Sequence, residues 1–169
     1  MKPELKYGLL AGAGTSAWIM TEYLLGLHTT HLAVGAVTGY FSSLVLLLCL
    51  GRMLRAKQAA YGPMFNLRHG LWSGLYASLA GAVVVYGFLV LYNQVIHPGW
   101  LDHAMQWKVD RLRADGIAED EIRRQLDFYR RANQPVGLLL TTLVGTTLMG
   151  GIMSLVITIT LMWRGQKAS

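Results

Sequence analysis

GLWSGLYASLAGAVVVYGFLVLYNQVI, residues 70–96, runs for 27 positions without an Asp, Glu, Lys or Arg. About 20 apolar residues suffice to carry a helix across a hydrocarbon core. That core offers no partner for peptide N–H and C=O groups, so a spanning segment must be a helix or part of a closed barrel. Barrel strands alternate apolar and polar residues with period two. Residues 70–96 do not alternate, and they predict a membrane helix. Three further segments read the same way: residues 7–27, 32–50 and 136–163. Glu22 is the one acid or strong base inside any of the four. The expected fold is therefore all-α, a four-helix transmembrane bundle in a single membrane domain covering 1–169.

The composition agrees. Of 169 residues, 53% are apolar and only 14% charged, and mean hydropathy is +0.38; a soluble domain carries about 25% charged residues. One cysteine, Cys49, excludes an internal disulfide and a Cys-rich metal or cluster site. A net charge of +6 and a pI near 9.7 would point to nucleic acid in a soluble protein, but here the bases gather beside the apolar segments. Lys2, Lys6, Arg52, Arg55, Lys57, Arg68, Arg164 and Lys167 share only Glu4 as an acid, whereas residues 97–135 carry seven bases and seven acids. Basic loops stay on the cytoplasmic side. The expected partner is thus the lipid bilayer and not nucleic acid, with both termini and the middle loop cytoplasmic. The first segment continues apolar to Leu27, too long for a cleaved leader, and is expected to stay as an anchor.

Lipid is as apolar as leucine, so membrane helices associate through close packing at small residues. Gly8 and Gly12, Gly35 and Gly39, Gly70 and Gly74 are four apart, and the last segment has two such rows: Gly137, Thr141, Gly145 and Thr146, Gly150, Ser154, Thr158. Residues four apart share a helix face, so each segment offers a strip for a neighbour within the chain or in a second copy.

Residues 97–135 are expected to form a two-helix amphipathic extramembrane hairpin between spans three and four. Leu101, Ala104, Met105 and Leu112 share one face of 100–114; Ile122, Leu126 and Tyr129 share one of 117–131; Asp115-Gly116 marks the turn. Glu119–Arg123 and Asp120–Arg124 are candidate i,i+4 ion pairs. The hairpin reads either as a lid over the bundle or as a docking surface.

Phosphate-binding, dinucleotide, zinc-protease and serine-hydrolase motifs are absent from the sequence, so no catalytic, cofactor-binding or metal residue is expected and the protein reads as no enzyme. An ionisable residue inside a membrane segment is a functional candidate by default. Glu22 lies five residues from the end of its segment, and Asn93 and Gln94 are the expected partners at matched depth. His28, His31, His97 and His103 gather at the same end. The candidate polar cluster is Glu22, Asn93, His28 and His31, either a structural contact or a group handling ions or protons.

Lys6-Tyr7-Gly8-Leu9 with Gly12, Phe65 ahead of Gly70 and Gly74, Pro98 with Trp100-Leu101, and Asn133-x-Pro135 together resemble a family of small bacterial four-span membrane proteins catalogued as a domain of unknown function. The resemblance implies the bacterial inner (plasma) membrane and carries over no activity. The expected role is a non-enzymatic accessory or scaffold subunit, working with a membrane protein partner or as a homo-oligomer. The alternative is a small oligomeric ion- or proton-coupled transporter or channel component.

Overall fold

The computed structural model describes residues 1–166, with side chains through Trp163; the basic side chains of Arg164 and Lys167 lie outside the described residues. Helices and turns make up the whole of the described chain: α1 (Pro3–Leu24), α2 (Leu32–Thr38), α3 (Phe41–Tyr61), α4 (Leu67–Leu91), α5 (Trp100–Ala114), α6 (Glu119–Asn133) and α7 (Pro135–Gln166). A 3₁₀ turn, Gly62–Met64, joins α3 to α4, and a π-helical turn, Tyr92–Ile96, extends α4.

The boundaries follow local chemistry. α1 opens with proline in its first turn, where the missing N–H costs nothing. It ends before Gly26, whose φ of +72° suits glycine and whose carbonyl accepts from the amides of Thr30 and His31 at 2.9 and 3.0 Å. α3 ends at Gly62, φ +52°, followed by Pro63. Asn66 caps α4 by accepting from the His69 amide at 3.0 Å. Gln134 is extended ahead of Pro135, as a residue before proline should be.

Three helical stretches among the described residues are long and apolar enough to cross a membrane: Leu32–Met64, Leu67–Ile96 and Pro135–Trp163. The expected first segment, residues 7–27, falls on α1, which has 22 residues but is diluted by glycine, serine, threonine and three charged side chains. The expected second segment, 32–50, is longer and broken. It bends at Gly39-Tyr40 and continues to Tyr61, so Arg52, Arg55 and Lys57 stand on helix and not in a loop. Residues 97–135 do form two helices.

α4 lies between α1 and α7 and packs along both. Its small residues decide this. A Cβ on Gly12 would come within 2.7 Å of the Gly81 carbonyl oxygen, and one on Gly8 would overlap the Ala77 carbonyl. On the opposite face, Gly70 receives Thr158, Gly74 receives Ser154, and Gly150 of α7 receives Ser78; Ser78, Ser154 and Thr158 are fully buried. The expected strips on the first and third segments, and the second row on the last, are thus helix contacts within the chain. The other two strips are used little or in part: Gly35 meets only Leu27 in the preceding turn, and on the last segment Gly137 meets the end of α6 but Gly145 has nothing within 4 Å.

The larger core side chains, Leu46, Leu50, Met53, Leu54 and Phe65, gather with Ala11 and Ala77 toward the residue 61–66 end. Leu44, Leu48, Val83, Leu148, Ile152 and Val156 point outward and are exposed. Aliphatic side chains outside with glycine and hydroxyls inside is the pattern of a bundle packed in lipid.

α5 and α6 close on each other through Ala104 and Ile122, 9% and 1% exposed. The ion pairs differ from expectation. Glu119 pairs with Arg113 across the turn, at 2.7 and 3.3 Å, and Arg124 pairs with Glu121 at 3.1 Å. The turn at Gly116 brings the end of α5 over the start of α6, which puts Arg113 nearer to Glu119 than Arg123 is.

Candidate functional site

Glu22, one turn from the end of α1, is 3% exposed. Its partners come from the reversal that follows it. The Thr38 hydroxyl, at the end of α2, donates to Oε1 at 2.5 Å, and His28 Nε2 stands 3.6 Å from Oε2. The other imidazole nitrogen of His28 lies 2.6 Å from the Tyr92 hydroxyl, which is itself 3.3 Å from His97 Nδ1. His97 stacks at 6.0 Å between ring centroids on the exposed His103. Trp18 secures the base of the group by donating to the Thr38 carbonyl at 3.1 Å.

One set of donor directions satisfies every member. With the His28 proton on Nε2, that nitrogen faces the Glu22 carboxylate and Nδ1 accepts from the Tyr92 hydroxyl. Tyr92 then accepts from His97 Nδ1–H. The result is a polar chain from the buried carboxylate to the half-buried imidazole of His97. Burial holds the pKa of His28 below the usual imidazole value despite the opposing attraction of Glu22. Burial, reinforced by the charge of His103, does the same to His97.

Of the expected cluster, the structure brings two residues together, Glu22 and His28. Asn93 does not join them: the π-helical turn carries it past, and Tyr92 is the residue presented to the site. His31 is exposed on the far side of the turn. Sequence reasoning missed Thr38, Tyr92 and the role of His97. Thr38 was hidden because the short α2 folds back onto α1. Tyr92 was hidden because a tyrosine near a helix end reads as an interfacial aromatic. No group of three or more His, Cys, Asp or Glu among the described residues is arranged to hold a metal ion.

A second polar cluster sits at the opposite end of α1. Lys57 of α3 donates to Glu4, and to the Ser73 hydroxyl of α4 at 2.6 Å. Burial works against the Glu4 carboxylate, but hydrogen bonds from Lys57, its own backbone and Ser73, with the charge of Lys57, bring its pKa below the ordinary range. Ser73 also donates to Glu4, at 3.4 Å, so the carboxylate accepts from both the lysine and the serine. The cluster ties three helices together. Between the two clusters the core holds no acid or strong base.

Between α3 and α7, floored by α1 and α4, a lateral cleft of about 390 Å³ runs into the bundle. Thr15, Ser42, Ser43, Thr141, Thr142, Gly145 and Thr146 line it with small and hydroxyl side chains. Thr141 and Gly145 of the first α7 row border this space, while Gly137 of the same row packs against the end of α6.

An all-helical chain with three apolar stretches long enough to cross a membrane defines the class: a small helical protein with the helices of a membrane protein. Residues 6–162 match the family described as "Protein of unknown function (DUF4199)", and the chain belongs to that family. No curated protein and no solved structure matches it.

Proposed function

We propose that this chain is a four-span integral membrane protein without enzymatic activity, an accessory or scaffold subunit that receives a transmembrane helix of a partner protein in the cleft between α3 and α7. The observation that carries this reading is the cleft itself. A row of small residues on α7 borders it, no side chain of the chain fills it, and Gly145 has nothing within 4 Å. Small residues in apolar helices serve close helix contact, and the other long small-residue faces of this bundle are already used for that.

Two features support counting α1 as a span. It packs along α4 and α3. The polar clusters at its ends, Glu4 and Glu22, are 18 residues apart, or roughly 27 Å of helix at about 1.5 Å per residue, close to the thickness of a hydrocarbon core. The excess of bases at the Glu4 end supports a cytoplasmic location for both termini in a bacterial inner membrane, with the hairpin outside.

A photo-crosslinking side chain at position 145, activated in native membranes, tests the docking role. A discrete protein adduct, abolished by filling the cleft with Thr141→Trp, supports it. Lipid adducts alone sink it. Cysteine accessibility tests topology: Gly116→Cys is expected to label from outside, Ala60→Cys and an N-terminal tag only after permeabilisation. An N-terminus and residue 60 on opposite sides would remove α1 from the spans.

The buried Glu22 chain favours a second reading, an ion- or proton-coupled transporter or channel component. Against it stands the stretch between the two polar clusters, where the described residues bury hydroxyls but no acid or strong base to relay a proton. Proton flux in proteoliposomes that is lost in Glu22→Gln would reverse this preference.

A further inference from the structure

We propose that the hollow between the α5–α6 hairpin and the α1–α2 reversal is a binding site for an anionic amphiphile, with one alkyl chain inside and the acidic head at Lys108 and Arg111. The proposal stands apart from the cleft, which lies elsewhere on the bundle.

The hollow has a volume of about 630 Å³, within the usual range of small-molecule sites. At ~30 Å³ per water it holds about twenty water-sized units. That accommodates one long alkyl chain with a head and is too little for two chains. Leu27 and Leu32 form one wall, Trp100, Trp107 and Leu112 the other. Leu24 and Leu25, just ahead of that wall in the chain, and Val34 and Val37 on the other face of α2 are exposed and apolar. Leu32 begins a stretch apolar enough to lie in a membrane, so a chain in the lipid has lateral access.

The rim chooses the head. Lys108 Nζ rests 4.9 Å from the Tyr129 ring centroid, and the Arg111 guanidinium 5.4 Å from that of Trp107. These cation–π contacts fix both cations over the opening without neutralising them. Among the described residues, neither makes a salt bridge. Asp115 also borders the hollow and pairs with neither, leaving one positive charge in excess. Two unneutralised cations above an apolar, aromatic-walled space fit a carboxylate or phosphate on an alkyl chain, and repel a cationic head.

Trp100 and Trp107 make the site readable. Purified protein in nanodiscs is titrated with brominated stearate, brominated phosphatidylglycerol or brominated phosphatidylcholine, with tryptophan quenching as the signal. Expected is a saturable quenching component with one of the anionic probes that phosphatidylcholine at equal mole fraction does not produce. Stearate alone identifies a free fatty acid, and phosphatidylglycerol alone one chain of a phospholipid. Lys108→Gln with Arg111→Gln should weaken that component about tenfold or more, since charge-assisted contacts are the strong ones, and Lys108→Arg should keep it. Trp100→Phe with Trp107→Phe should abolish it. Equal quenching by anionic and neutral probes, or an undiminished component in the folded Gln variant, overturns the proposal.

Discussion

Alanine at Gly12 and alanine at Gly145 are the same chemical change, and the bundle predicts opposite results. A Cβ at Gly12 would stand 2.7 Å from the Gly81 carbonyl oxygen and 2.7 Å from Val84 Cβ. Ordinary contact begins near 3.4 Å, so α1 must retreat from α4 by about 0.7 Å. A backbone carbonyl cannot rotate away, and forcing apart a packed interface costs about 1–3 kcal/mol. Alanine returns ~1 kcal/mol of helix propensity, which leaves Gly12→Ala destabilised by about 0–2 kcal/mol. Gly145 has no atom within 4 Å, so only the propensity gain of ~1 kcal/mol remains. The two variants should differ by about 1–3 kcal/mol, the size of the clash. Leucine should widen the gap, because position 12 is closed and position 145 opens on the cleft. Unfolding by SDS in mixed micelles, followed by tryptophan fluorescence, measures both. A Gly12→Ala protein as stable as Gly145→Ala would refute the α1–α4 contact on which the bundle depends.

Three other expectations follow from single features. Glu22→Ala should cost about 1–3 kcal/mol, because the half-buried Thr38 hydroxyl and the His28 nitrogen lose their acceptor, while Glu22→Gln, which keeps an acceptor for Thr38, should cost less; equal losses in the same unfolding assay would argue against the hydrogen bonds. Because burial lowers the pKa of His28 and His97 in the folded protein, the unfolded chain binds more protons below its value near 6.5. Stability is then complete above that pH and declines as pH falls through it toward the depressed folded values. The unfolding midpoint should be lower at pH 5.5 than at pH 7.5, and His28→Gln with His97→Gln should flatten the slope; a flat wild-type profile would contradict the burial. Ile122→Ala empties a fully buried position between α5 and α6 at a cost of about 2–4 kcal/mol. Hydrogen exchange should accelerate across residues 100–133 and leave α4 protected, and acceleration throughout would mean that the hairpin is not a separate unit.

Most of the helices were legible because lipid imposes a simple rule. A stretch without charge and about 20 residues long has one low-energy form, and 70–96 and 136–163 were located by it within a few residues. The rule overreached at 7–27, which is not among the three stretches apolar enough to cross a membrane, and it misplaced the end of 32–50 for an identifiable reason. Apolarity marks where a helix can lie in hydrocarbon, not where its hydrogen bonding stops, so α3 continues through Arg52, Arg55 and Lys57 to Gly62, and the bend at Gly39-Tyr40 left no mark in hydropathy. The two helices within residues 97–135 were legible from their amphipathic stripes. The site was half legible. Glu22 was conspicuous as a lone acid, but its partner was assigned by depth, and depth does not give rotation about the helix axis. A one-residue difference around the turn separates Asn93 from Tyr92.

By itself the sequence determined the all-helical class, the apolar segments, the punctuation at Gly26, Gly62 and Gly116, and the strips by which helices could approach. Each of these depends on neighbours along the chain. Which strips meet was decided by the tertiary structure, which sets Gly12 against Gly81 and Gly74 against Ser154 but leaves Gly145 open. It also decided which hydroxyl and which imidazole reach Glu22. The physical reason is that small-residue spacing and a buried charge each specify a need for close contact or for donors. Only the relative rotation and translation of the helices specify what meets that need.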